Sequence, residues 1–91
     1  MIRVYSVLPG EDYLLRLKFT NGETRCFDMK PYLHLTVYRR LENRGFFALA
    51  RADYGTVVWP DEIDIAPETL YAHSVPVETT QVGCGDRAVG N

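Results

Sequence analysis

The fold is decided by one stretch near the start of the chain, Leu15-Arg16-Leu17-Lys18-Phe19-Thr20-Asn21-Gly22-Glu23-Thr24-Arg25-Cys26-Phe27-Asp28-Met29. Large apolar residues at Tyr13, Leu15, Leu17 and Phe19 alternate with Leu14, Arg16, Lys18 and Thr20, and this alternation places the four on one face of a β-strand. The Asn21-Gly22 pair that follows is the strongest short-range signal for a β-hairpin. The stretch therefore predicts two antiparallel strands joined by a tight turn.

The register of this hairpin depends on the length of its loop. A two-residue loop would place Cys26 beside Leu17, whereas a three-residue loop would place Phe27 on that face instead. A shift of one residue moves every side chain of the returning strand to the opposite face. The sequence leaves both registers open.

The rest of the chain predicts more short strands and some helical segments. Residues 2–8 are rich in β-branched and aromatic types and end before a Pro-Gly pair, so they predict a first strand. Residues 37–44 space their apolar side chains as a helix does, with Thr36 as the N-cap and Gly45 as the terminator. The further predicted elements are a buried strand, or a segment that leads into one, at 46–52, strands at 56–59 and 63–65, and a helical turn at 68–73 opened by Pro67.

The order of these elements indicates an α+β domain. It combines a small, hairpin-rich antiparallel sheet of about five strands with two or three short helices packed on one face. The chain has 91 residues, 46% of them hydrophobic and 24% charged, which suits one domain and not two. We assign residues 1–78 to this domain. Residues 79–91 have no large apolar residue beyond valine and no periodicity, so they predict a disordered C-terminal tail.

The composition predicts a cytoplasmic protein. The longest unbroken apolar run is 46–50, whereas a helix that spans a membrane needs about 20 residues. The chain begins without the basic and long apolar regions of a signal peptide. Its two cysteines, Cys26 and Cys84, do not make a disulfide framework, so reduced thiols are expected.

Charge is distributed unevenly along the chain. Residues 1–52 carry nine basic and five acidic side chains, a net charge of +4, whereas residues 53–91 carry seven acids against Arg87 alone, a net charge of −6. Such asymmetry indicates either a basic binding face or two halves that complement each other, inside one fold or across a dimer. Internal complementarity is the simpler interpretation.

The sequence offers no constellation of catalytic or metal-ligating residues. A dyad of Cys26 and His34 would need the chain to fold back within hydrogen-bond reach, and no third residue is placed to orient it. The acidic run at 61–68 lacks the spacing of a calcium loop and lies at a turn and a helix start, where acids are expected. No glycine-rich phosphate loop is present. We therefore predict that the protein is not an enzyme and that it holds no cofactor and no metal.

Aromatic residues, by contrast, are numerous for a small domain. The chain has six tyrosines, four phenylalanines and one tryptophan, and aromatic residues with arginine are favoured at the centres of protein interfaces. We predict a small protein partner, with homodimerisation through an open sheet edge as a competing use of the same surface. The candidate partner-binding residues are Tyr32, Tyr38, Arg39, Arg40, Arg44 and Tyr54.

The alternative is a nucleic-acid-binding regulator that uses the face formed by Arg39, Arg40 and Arg44. Arg40 and Arg44 are four residues apart and would share one helix face, with the aromatic ring of Tyr38 close in sequence. The net charge of −2 opposes this alternative, because each phosphate that is neutralised needs a cation.

Two stretches together resemble a known family. The first is the hairpin stretch from Leu15 to Met29, with its apolar alternation, its Asn-Gly-Glu turn and its final aspartate. The second is Val57-Val58-Trp59-Pro60-Asp61-Glu62-Ile63-Asp64-Ile65-Ala66-Pro67-Glu68-Thr69-Leu70-Tyr71. In order and spacing they resemble the bacterial domain-of-unknown-function 2442 family, over residues 1 to about 75.

The resemblance implies a small α+β domain, found alone or joined to a helix-turn-helix, and says little about activity. Some relatives are encoded beside another small protein in arrangements that look like toxin–antitoxin pairs, which would make this chain the partner-binding, antitoxin-like member. No helix-turn-helix extension is predicted in these 91 residues. The signature positions, which we interpret as structural, are Asn21, Gly22, Asp28, Trp59, Asp64, Pro67, Leu70 and Tyr71.

Overall fold

The predicted hairpin lies at the centre of a four-stranded antiparallel sheet in the computed structural model, which describes residues 2–77. This first sheet has the strand order β1-β2-β3-β7, and a second sheet has the order β4-β5-β6. The predicted tail at 79–91 lies outside the described residues. The strands are β1 (Val4–Pro9), β2 (Leu14–Phe19), β3 (Thr24–Asp28), β4 (Arg51–Asp53), β5 (Thr56–Trp59), β6 (Ile63–Ile65) and β7 (Val75–Pro76).

The hairpin between β2 and β3 has a three-residue loop. The backbone N–H of Phe19 donates to the Glu23 carbonyl at 2.9 Å, so residues 20–22 form the loop, and Gly22 has a φ of +93°, a conformation that glycine adopts at no steric cost. Leu15 lies opposite Phe27, and both side chains are buried. Of the two registers that the sequence left open, the structure has the one that places Phe27 on the inner face.

The α+β fold class is confirmed, although the strands are divided differently from the prediction. All strand pairs within residues 2–77 are antiparallel, but they form two sheets and not one sheet of about five strands. The two sheets meet where the N–H of Val4 in β1 donates to the carbonyl of Gly55, in the β4–β5 turn, at 2.9 Å.

The segment predicted as one helix at 37–44 consists of two shorter helical elements. A 3₁₀ helix covers Thr36–Glu42, and a one-turn helix α1 covers Arg44–Phe47. Asn43 separates them, because its Oδ1 accepts a hydrogen bond from the N–H of Phe46 at 2.9 Å and caps α1. Gly45 therefore lies inside α1, and its prediction as a helix terminator is wrong. No side chain caps the start of the 3₁₀ helix, so the predicted N-cap at Thr36 is also wrong.

The predicted buried strand at 46–52 is wrong for the same reason. The cap at Asn43 starts a new helical turn through Phe47, so extended structure begins only at β4, Arg51–Asp53. Helix α2 covers Pro67–Ala72 and starts, as predicted, with a proline in its first turn.

The core lies between the inner face of the first sheet, the inner face of the second sheet and the helices. Strand β2 contributes Leu15, Leu17 and Phe19, three of the four residues whose alternation predicted it, and all three are fully buried. The fourth, Tyr13, ends a short 3₁₀ helix, Glu11–Tyr13, that precedes β2, and it is only partly buried. The buried hydrophobic cluster consists of Val4, Leu15, Leu17, Phe19, Phe27, Met29, Leu33, Leu41, Phe47, Val57, Trp59, Ile63, Ile65 and Leu70.

The helices of the described part of the chain are all short. Among residues 2–77, no helix has both the length and the apolar character that crossing a membrane requires.

Candidate protein-binding surface

The two signature stretches meet in one polar cluster at the loop end of the β2–β3 hairpin. The carboxylate of Glu23 accepts a hydrogen bond from the Tyr71 hydroxyl at 2.7 Å and another from the Asn21 side-chain amide at 3.0 Å. Its other oxygen pairs with Arg25 at 2.6 Å. Tyr71 belongs to α2, so the cluster joins the first signature stretch to the second.

Arg25 is the residue that ties this cluster to the chain after α2. Its guanidinium donates to the Ser74 hydroxyl at 2.7 Å and to the Ser74 carbonyl at 2.8 Å, and it lies 4.4 Å from the centre of the Tyr71 ring. The side chain is only 14% exposed. The sequence gives no sign of the contacts of Glu23 with Tyr71 and of Arg25 with Ser74, because contacts across 48 or 49 residues leave no local pattern.

The cluster predicts a loss of stability in acid that depends on Glu23. Hydrogen bonds from Tyr71 and then from Arg25 hold the pKa of this carboxyl below its ordinary value. A lowered pKa stabilises the fold above the unfolded-state pKa, about 4.3, and that contribution is lost as the pH falls through the lower folded-state pKa. We expect Glu23→Gln to be less stable than the wild type at pH 7 and the two stabilities to converge at low pH.

Urea unfolding between pH 7 and pH 2.5 measures this difference, with Glu11→Gln as the control because Glu11 is exposed. A stability gap between wild type and Glu23→Gln that stays constant over this range would show that the hydrogen bonds do not act on the charged carboxylate.

The other signature residues also make contacts inside the fold. Trp59 is 2% exposed, and its indole N–H donates to the Phe47 carbonyl at 2.9 Å. Asp28 accepts a hydrogen bond from the backbone N–H of Lys30 at 2.9 Å, which fixes the turn after β3 as the sequence predicts. Asp64 accepts through its backbone carbonyl, from the Tyr38 hydroxyl at 3.2 Å.

Two of the three candidate arginines lie side by side at a shallow surface depression of about 580 Å³. We call this depression, with its six lining residues, the arginine groove. Arg44 is not part of it, because its guanidinium lies 5.8 Å from the centre of the Tyr13 ring, over the start of β2. The groove residues are Arg39, Arg40, Glu42, Asn43, Phe46 and Leu49.

The two groove arginines differ in their partners. Arg40 pairs with Asp61 at 2.6 Å and lies 5.7 Å from the centre of the Phe46 ring. This ion pair joins the basic first part of the chain to the acidic second part, as internal complementarity predicts. Arg39 is exposed and has no carboxylate within ion-pair distance among residues 2–77. Within the described residues, its guanidinium is thus exposed and outside any ion pair, although Glu42 lines the same groove.

The candidate tyrosines are divided between the fold and the surface. Tyr32 stacks on Phe27 with 5.4 Å between ring centres. Tyr38 is half-buried between the 3₁₀ helix and β6, and burial raises the pKa of its hydroxyl. Tyr54 is 80% exposed and has a φ of +54° in the β4–β5 turn. Of these three tyrosines, Tyr54 alone has most of its side chain exposed and available to a partner.

Tyr54 lies at a second depression, of about 370 Å³, on the other side of the Arg40–Asp61 ion pair. Three carboxylate residues line it, Asp61, Glu62 and Asp64, and we call these the acidic rim. Val58 and Pro60 contribute apolar surface there. The sequence predicted Tyr54 as a binding residue but gave no sign that it lies beside these acids.

The sequence did not predict that two apolar residues near the arginine groove are exposed. Leu49 is 53% exposed and lines the groove, and Val37, 58% exposed, belongs to the same 3₁₀ helix as Arg39. Leu49 was assigned to a buried strand and Val37 to the apolar side of a helix. Both assignments depended on the helix boundary that Asn43 changes.

Three of the four described sheet edges are short. Strands β4 and β6 have three residues each, and the two residues of β7 include Pro76, which has no N–H. The fourth edge, β1, has six residues and is bonded to Gly55 at Val4. The expected homodimer through a sheet edge stays a prediction.

No group of histidine, cysteine, aspartate and glutamate that could hold a metal ion occurs within residues 2–77.

The fold and its surface define a small α+β domain with two adjacent, oppositely charged depressions. The family described as "Protein of unknown function (DUF2442)" matches residues 4–76, and the chain belongs to it. No curated protein is significantly similar to the chain. No solved structure is significantly similar to it either.

Proposed function

We propose that the chain is a non-enzymatic protein-binding module whose arginine groove, together with Val37, is buried by a protein partner. The observation that carries this proposal is the combination at the groove of an exposed leucine and an arginine that has no ion-pair partner among residues 2–77. Arg39 and Leu49 both line the groove, and such pairs of guanidinium and apolar surface are typical of interface centres.

The groove by itself is too small for a stable complex. A specific interface buries about 800 Å² on each partner, so the neighbouring exposed side chains must take part. Val37 extends the apolar surface along the 3₁₀ helix. In this proposal the aromatic and aliphatic groups supply the affinity, while the arginines set the orientation of the partner.

The gene arrangement of some relatives, which are encoded beside another small protein, supports a more specific role. In that role the chain is the partner-binding, antitoxin-like member of a pair and acts by covering its partner, with no chemistry of its own. The cytoplasmic location belongs to the same proposal.

The nucleic-acid alternative is less favoured by the charges around the arginines. Asp61 already neutralises Arg40 at 2.6 Å, and Glu42 lines the groove with Arg39. Phosphate binding requires an excess of cations that attracts the backbone and releases its counterions, and these carboxylates oppose it.

Co-purification from bacterial cells tests the proposed function. We expect a tagged chain to retain a stoichiometric protein, a second copy included, after nuclease treatment and at moderate salt. Arg39→Glu should lose this protein, whereas Arg16→Glu should retain it, because Arg16 points to the outer face of the first sheet. Recovery of nucleic acid that disappears as salt rises would contradict the proposal, as would equal recovery with both variants.

A further inference from the structure

The arginine groove and the acidic rim are neighbours on one surface. The ion pair between Arg40 and Asp61 connects them, with 2.6 Å between nitrogen and oxygen. Tyr38, in the same 3₁₀ helix as the groove arginines, donates its hydroxyl to the Asp64 carbonyl at 3.2 Å. A basic, apolar depression of about 580 Å³ thus lies beside an acidic depression of about 370 Å³ that carries an exposed tyrosine.

Each depression has charge that the described residues leave uncompensated. Within residues 2–77, Arg39 and Glu42 have no ion pair on the groove side, and Glu62 and Asp64 have none on the side of the acidic rim. Of the charged residues that line the two depressions, Arg40 and Asp61 pair with each other, and Arg51 pairs with Asp53 outside them. The surface therefore carries unpaired charge of both signs on the two sides of one internal ion pair.

Adjacent patches of opposite charge are self-complementary under a two-fold rotation. An isologous interface brings residue i of one copy against residue j of the other and residue j against residue i. A two-fold axis near the Arg40–Asp61 ion pair would place the basic side of each copy on the acidic side of the other. The apolar surfaces would then meet as well, Leu49 and Val37 of one copy with Tyr54 and its apolar neighbours in the other.

We propose that the partner that covers the arginine groove is a second copy of this chain. This inference rests on the proposed function and names the partner of the same surface. In the symmetric dimer Arg39 of each copy pairs with Glu62 of the other. The dimer buries both depressions at once, which brings the contact closer to the area that a stable interface needs.

Charge reversal tests this contact. In Arg39→Glu, the new glutamate of each copy faces the native Glu62 of the other copy. In Glu62→Lys, the new lysine of each copy faces the native Arg39 of the other copy. We expect each variant to dimerise at least about tenfold more weakly than the wild type, because like charges across an interface are strongly unfavourable. Sedimentation velocity from 1 to 200 µM measures the dimer constant, and circular dichroism shows that each variant is folded.

The decisive sample is a mixture of the two variants. In a mixed dimer the glutamate introduced at position 39 faces the lysine introduced at position 62, and the native Arg39 faces the native Glu62. We therefore expect two proteins that are mostly monomeric alone to form a dimer of twice 10.4 kDa when mixed. A double variant with both substitutions should also dimerise. Arg16→Glu serves as the matched control and should leave the dimer constant unchanged.

Three results would overturn the inference: a wild-type chain that stays monomeric at 200 µM, single variants that dimerise like the wild type, or a mixture that fails to associate. The proposed function fails separately. If the wild-type chain is monomeric but a different protein co-purifies with it and is lost on Arg39→Glu, the partner is not a second copy and the proposed function stands. If Arg39→Glu weakens neither the dimer nor a complex with a different protein, both this inference and the proposed function fail.

Discussion

Replacing Trp59 with alanine is expected to reduce the free energy of unfolding by about 3–5 kcal/mol, as is usual when a buried aromatic side chain is removed from a core. Trp59 is 2% exposed, packs 6.2 Å from the centre of the Phe47 ring and donates its indole N–H to the Phe47 carbonyl. The substitution therefore opens a cavity between β5 and α1 and removes a hydrogen bond that holds α1 in place.

The size of this loss matters because a domain of this length has little stability in reserve. At about 0.05–0.15 kcal/mol per residue, the total is roughly 5–14 kcal/mol. Urea unfolding followed by circular dichroism measures the change, and Trp59→Phe separates the two contributions. The phenylalanine variant keeps most of the packing, so it should lose about 1–3 kcal/mol, from the hydrogen bond and a smaller cavity.

Tyr54→Ala is the matched control for the aromatic deletion. Tyr54 lies just before β5 and is 80% exposed, so its removal should change stability by less than about 0.5 kcal/mol. A loss below 1 kcal/mol for Trp59→Ala, or a similar loss for both alanine variants, would show that Trp59 does not hold α1 against the second sheet.

The second large effect is expected at Arg25, where Arg25→Met should cost about 2–3 kcal/mol. Methionine keeps an unbranched apolar stem about as long as the aliphatic part of arginine but removes every hydrogen bond of the guanidinium. The buried side chain of Ser74 then loses the Arg25 donor, and Glu23 loses its cation. The contact with the Tyr71 ring is weakened as well.

Arg16→Met is the control for Arg25→Met. Arg16 lies opposite Cys26 on the neighbouring strand and points to the outer face of the sheet, so its replacement should cost less than about 0.5 kcal/mol. Thermal unfolding of the two variants at pH 7 compares them directly. Equal melting temperatures would show that the cluster joining the two signature stretches contributes no stability.

The parts of the fold that the sequence predicted well depend on local rules. Alternation at Leu15, Leu17 and Phe19 identified the inner face of β2, because strand side chains have a period of two. The Asn21-Gly22 turn located the hairpin, but two loop lengths were compatible with it. The register was set by burial of Phe27, and burial depends on the whole fold.

The helical segment was predicted less well because two local signals compete there. Apolar spacing favoured one helix from 37 to 44, whereas the side chain of Asn43 caps a new turn at Phe46. This single hydrogen bond ends the 3₁₀ helix and starts α1. It also moves Leu49 from a predicted buried strand to the exposed side of the arginine groove.

The candidate site could be predicted only in part for a similar reason. Arg39 and Arg40 are adjacent in sequence, so their presence on one surface followed from the chain itself. The ion pair of Arg40 with Asp61 spans 21 residues, and no local pattern predicts which of several acids comes close. The position of the acidic rim beside Tyr54 could not be predicted for the same reason. The charge asymmetry between the two halves of the chain was the one sequence feature that pointed to it.

Hydroxyl-radical footprinting of the assembled protein tests the central claim most directly, because it reports which surface the partner covers. Mass spectrometry would compare oxidation of Leu49 in the arginine groove with oxidation of Leu8, which is exposed on the outer face of the first sheet. The account predicts that Leu49 is oxidised less in the wild-type assembly than in the Arg39→Glu variant, while Leu8 is oxidised equally in both. Protection of Leu8 with full oxidation of Leu49 would place the partner on the opposite surface and contradict the account.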